Sequence, residues 1–107
     1  MVTIFILFSE MPRFGVIPEA IRQPEGDDLL LNFTIFGIPK PSVKCMRDDE
    51  ELLSSNEILI VVDGQNLSVK IPKASRTMSG KYMIFLQNEV GKAEAMVEVL
   101  IYGRYCK

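Results

Sequence analysis

Histidine is missing from all 107 residues. Its absence removes the commonest general base and the commonest metal ligand. Two cysteines remain, Cys45 and Cys106. Cys106 lies 15 residues past Gly91, a reach of up to ~50 Å if extended. Cys45 falls in the middle of an expected strand, so a bond between the two is geometrically disfavoured. Cys45 is expected to pack as a small buried hydrophobe. Cys106 is expected to be an exposed tail thiol, which suits a reducing compartment. The run RDDEELLSSNE, Arg47–Glu57, collects carboxylates, but its spacing fits no EF-hand loop and it lacks that loop's glycine. It reads as a solvated connection. No nucleophile–base pair, phosphate-cradling glycine loop or metal-spaced cluster occurs. The expectation is therefore no catalytic, cofactor-binding or metal-binding residue.

Two further spots invite modification. Asn32-Phe33-Thr34 and Asn66-Leu67-Ser68 match the N-glycosylation acceptor pattern. Both asparagines are expected to face outward, where a glycan fits if the chain is secreted. Net charge is −2, from 12 basic and 14 acidic residues that are well mixed. No basic stripe exists, which argues against nucleic acid as a partner. No apolar run approaches the roughly 20 residues that span a bilayer. The opening MVTIFILF is apolar, but no Lys or Arg precedes it and SEMPRF follows in place of a small-residue cleavage site. It reads as a linker or an extra strand, and both chain ends look like the boundaries of a fragment or of a doubtful gene model.

The elements that must position these residues are strands. Short apolar alternations recur about every 8–12 residues between turn signals, the pattern of an all-β sandwich or barrel. FGVIPEAI, Phe14–Ile21, reads as extended, with Pro18 making it an edge or split strand. DLLLNFTIFG places Leu29, Leu31, Phe33 and Ile35 on one face, and GIPKP then breaks the chain. SVKCMRDD puts Val43 and Cys45 on one face. EILIVVDG ends in Asp63-Gly64, a hairpin signal. NLSVKI turns Leu67, Val69 and Ile71 inward, and GKYMIFLQ turns Tyr82, Ile84 and Leu86 inward. KAEAMVEVLIYG alternates Ala93, Ala95, Val97 and Val99 with Lys92, Glu94, Met96 and Glu98. About seven hairpin-compatible strands in this length predict two antiparallel sheets packed face to face.

Several pieces, in order, resemble the intermediate (I) set of immunoglobulin-like domains. They are Glu25-Gly26 before the second strand, GIPKP between strands B and C, NLSVKI as strand E, and SGKYMIFLQNEVG as strand F ending in N-x-x-G. The resemblance covers roughly residues 12–103 and is nearest to modules of titin- and twitchin-type giant muscle proteins. It implies a Greek-key sandwich, with residues 1–11 an extension and 104–107 a tail. It also implies that Tyr82 forms a tyrosine corner with nearby backbone.

The departures carry information. The family's inter-sheet disulfide positions fall on Phe33 and Ile84, its strand C tryptophan on Cys45, and the aspartate of its D-x-G-x-Y motif on Met78. A sandwich lacking that bond is the expectation, with Phe33, Cys45, Leu67, Tyr82 and Ile84 in the core. A disulfide lost from a small domain costs about 2–5 kcal/mol. Each large apolar side chain buried contributes about 1.5–3 kcal/mol, so a Phe33–Ile84 contact offsets the loss. Phe33 is expected to fill space that the tryptophan occupies elsewhere. The resemblance implies a non-catalytic structural or binding module of the cytoplasm, in sarcomere or cytoskeleton. Its partners would be other proteins: neighbouring immunoglobulin or fibronectin-type domains, or sarcomeric filaments. KAEAMVEVLI is expected to be an edge strand open to strand addition. The alternative is a cell-surface or secreted recognition domain.

Overall fold

A computed structural model of the chain describes residues 9–55 and 57–103. The extension up to residue 8 and the tail with Cys106 lie outside the described residues. Among the described residues nine strands form: β1 Glu10–Val16, β2 Ile21–Pro24, β3 Leu29–Ile38, β4 Ser42–Arg47, β5 Glu50–Leu52, β6 Leu59–Asp63, β7 Asn66–Ile71, β8 Gly80–Gln87 and β9 Lys92–Tyr102. A 3-10 turn, Arg76–Met78, precedes β8. One sheet runs β1-β3-β7-β6 and the other β2-β9-β8-β4-β5. This is the Greek-key sandwich that the alternations and the resemblance point to.

The core follows the period of two. Leu29, Leu31, Phe33 and Ile35 of β3, Leu67, Val69 and Ile71 of β7, Tyr82, Ile84 and Leu86 of β8, and Ala95, Val97, Val99 and Ile101 of β9 are all buried. They form one cluster together with Cys45 and Leu52. Phe33 stands opposite Leu67 in one sheet, and Ile84 opposite Cys45 in the other. The ring of Phe33 meets Phe14 of β1, centroids 5.9 Å apart and tilted by 55°, inside the range where aromatic pairs attract.

Three features refine or correct the sequence reading. First, β1 opens at Glu10, which pairs with Ile38, so residues 10 and 11 of the expected extension lie in a strand, in line with the extra-strand alternative. Second, the break at Pro18 moves the chain between sheets: β1 pairs antiparallel with β3, whereas β2 pairs parallel with β9. The second sheet is thus mixed. β9 is also not an edge over Val99–Tyr102, because β2 covers it there. The physical reason is that β2 satisfies backbone groups that β8 leaves open. Third, Asp63 and Asn66 pair directly, so the loop residues are Gly64 and Gln65. Only Gly64 of the two has positive φ, +62°, as a type II′ turn requires.

Candidate functional site

Among the described residues, Cys45 and Tyr82 are buried and carry ionisable groups. Cys45 sits in the core, and burial, helped by the Glu51 carboxylate, pushes its thiol up to about 11. A thiol so held stays protonated and is a poor nucleophile. Tyr82 is fully buried, and its hydroxyl donates to the Met78 carbonyl at 2.5 Å. The acceptor is backbone, so methionine at position 78 leaves this corner intact. Burial pushes the phenol up to about 12, with Arg47 pulling down and Asp48 pushing up.

Both groups keep protons in the folded chain that the unfolded chain releases. Their stabilising effect is full below pH 9.0, the ordinary thiol value, and is lost as pH rises through about 11 for Cys45 and about 12 for Tyr82. Urea unfolding from neutral pH to about pH 11 is expected to show a falling midpoint that starts near pH 9. Tyr82→Phe should flatten the part of the slope above pH 10.0. A midpoint that is level across this range contradicts the burial of both groups.

Among the described residues no group of three His, Cys, Asp or Glu side chains is placed to hold a metal. Among the described residues no helix is long and apolar enough to cross a membrane. Phe33, Cys45, Leu67, Tyr82 and Ile84 lie in the core, so none of them meets a partner. Asn32 and Asn66 are exposed on the outer face of the first sheet. Asn32 stands opposite Ser68, whose hydroxyl donates to its Oδ1 at 3.1 Å, and Asn66 stands opposite Thr34.

What can meet a partner is therefore backbone edge and outer face. Asn88 fastens one end of the sandwich. Its Nδ2 donates to the carbonyls of Glu10 (2.8 Å) and Pro39 (3.0 Å), and its Oδ1 accepts from the Val90 and Gly91 amides. One side chain thus ties β1, the β3–β4 connection and the β8–β9 turn together. Gly91 lets Met11 lie against that turn, because a Cβ there would meet Met11 Cε at 2.6 Å. On the outer face of the second sheet, Met46, Met83 and Met96 fall in one cross-strand row. Phe85 flanks the row between Lys44 and Glu94. Flexible thioethers suit an adaptable contact surface. Asn88 and Gly91 are the two ends of the N-x-x-G piece quoted from the sequence, which carried no reading of their bonds, and the methionine row was not singled out at all. The row becomes visible only when three strands are placed in register.

The edges are guarded unequally. β1 carries buried Pro12 and two shifts of register, β2 is four residues ending in Pro24, and β5 is three residues with two glutamates. Short length, proline, charge and bulges all discourage edge pairing. β6, Leu59-Ile60-Val61-Val62-Asp63, has only its terminal aspartate.

Residues 12–101 match the immunoglobulin I-set domain. Titin of Drosophila melanogaster is 29% identical over 82 residues, 77% of this chain. Myopalladin of Mus musculus is 33% identical over 95 residues, 89% of this chain. The chain spans 7% or less of the length of these relatives. A crystal structure of titin domains Z1Z2 in complex with telethonin superposes with a TM-score of 0.87 at 31% identity, covering 92% of this chain and 50% of that one. With the sandwich, the tyrosine corner and the match over nearly the whole described length in agreement, the chain belongs to the immunoglobulin I-set family of structural and protein-binding modules.

Proposed function

We propose that the chain works as a load-bearing and protein-binding module of a modular sarcomeric muscle protein in the cytoplasm, with no catalytic role. The observation that carries this reading is the parallel pairing of β2 with β9, Ile21↔Val99 to Pro24↔Tyr102. The Glu25 amide extends it with a 2.8 Å bond to the Tyr102 carbonyl. β2 follows β1, the first strand of the sandwich, and β9 is its last strand. Pulling the two ends apart loads these bonds together in shear and does not peel them one by one. The muscle-protein relatives support the setting. The telethonin complex of the similar titin domains supports binding to other proteins.

Single-molecule stretching of the chain, flanked by reference domains, is expected to give one cooperative force peak. Arg22→Pro with Gln23→Pro, which strips amide donors from β2, should lower that peak. A wild-type chain that extends without a resolved peak would overturn the load-bearing reading. The exposure of Asn32 and Asn66 favours a second reading, a glycosylated cell-surface domain. A glycan mass increment after secretory expression is what that reading requires.

A further inference from the structure

We infer that β6 is a self-pairing edge, through which two copies of this chain join their first sheets across a two-fold axis at Val61. This deepens the protein-binding reading by naming one partner, and it does not rest on the load-bearing half of it.

The backbone sets the register. Asp63 and Asn66 flank a two-residue loop, so they exchange both ladder bonds. By alternation Val61 bonds Ser68 and Leu59 bonds Lys70. Ile60 and Val62 therefore turn their amides and carbonyls away from β7, toward the open edge. An independent contact agrees: the Ile60 amide reaches outward to Ser54 Oγ at 3.4 Å. That bond is long for an N–H···O contact and easily exchanged.

An antiparallel second copy centred on Val61 places Ile60 opposite Val62 of the second copy, and Val62 opposite its Ile60. Each pair exchanges two backbone hydrogen bonds. Val61 then faces Val61 of the second copy in a non-hydrogen-bonded pair, where side chains come closest. Val61 is 54% and Leu59 42% exposed on this face, so both gain burial.

Charge fits the same register. Asp63 of the second copy lies opposite Leu59, whose other neighbour is Lys70. Lys70 already pairs with Asp28 Oδ2 at 3.8 Å, and the second copy's Asp63 adds a further carboxylate two strand spacings away, roughly 10 Å, on each side of the axis. The two Asp63 carboxylates stay apart, about 13 Å along the strands. The strand thus complements itself in hydrogen bonds, in apolar side chains and in charge. β1, β2 and β5 carry proline, bulges or glutamates instead, and the Lys92–Glu98 stretch of β9 that β2 leaves uncovered carries Lys92, Glu94 and Glu98.

The test is light scattering on the full chain over a rising concentration series. The expected result is a molar mass climbing toward twice the monomer's. Val61→Lys and Val61→Glu each set like charges face to face and should remain monomeric at the same concentrations. Both substitutions are on an exposed site, and circular dichroism checks that each variant is folded. An equimolar mixture of the two variants should recover the dimer, because position 61 meets position 61. Ser54→Ala, which frees the Ile60 amide, should strengthen association. A monomeric wild type, dimers that persist in either single variant, or a mixture that stays monomeric would each overturn the proposal. None of these outcomes bears on the force peak, so the two readings fail separately.

Discussion

Phe33→Ala is expected to lower the unfolding free energy by about 3–5 kcal/mol, the usual cost of emptying a buried aromatic site. The residue is 2% exposed, stands opposite Leu67 and meets the ring of Phe14. Its removal leaves a cavity between sheets that no inter-sheet disulfide holds at this point, since Phe33 and Ile84 occupy the two positions. The loss should match what an ordinary member of the family suffers when its disulfide is removed, about 2–5 kcal/mol. Equilibrium urea denaturation measures it. A variant as stable as the parent would show that the rest of the cluster holds the sandwich without this side chain.

Cys45→Trp is expected to destabilise the chain by about 1–3 kcal/mol or more, although it restores the residue type common in the family. Cys45 is 2% exposed, pairs with Ile84 on β8 and Leu52 on β5, and lies in the same cluster as Phe33. A close-packed interior has no room for an added indole, and overpacking forces side chains off their rotamers. The same denaturation assay reads the effect. A stabilised Cys45→Trp variant would mean that the core holds unused volume beside Cys45.

The sequence was most legible where alternation is regular. In β3 over Leu29–Ile35, throughout β7, and in β9 from Ala95 to Ile101, every second residue is apolar and buried, so the inner face could be read directly. β1 was harder, because two register shifts break its period of two. Phe14, the ring partner of Phe33, was consequently placed in an extended segment but not assigned a face. The β2–β9 pairing left no local signal at all. Parallel neighbours need no turn between them, and here they are separated by most of the chain. This is why β9 read as an open edge. The Asp63-Gly64 signal marked the hairpin but not which residues form its loop, since both Asp-Gly and Gly-X pairs fit two-residue turns. Among the surface features, the weak guarding of β6 emerged only once each strand's place in its sheet was known. Its five residues look like those of any interior strand.

The central proposal is that Phe33 and Cys45, members of one buried cluster, divide one volume between them, so that the sandwich closes without disulfide or tryptophan. A double-mutant cycle tests it most directly, comparing Phe33→Ala, Cys45→Trp and the two together by urea denaturation. The account predicts coupling: Phe33→Ala should cost far less in the Cys45→Trp background than alone, with an interaction of about 1–3 kcal/mol favouring the double variant. Costs that simply add, to within about 0.5 kcal/mol, would contradict it.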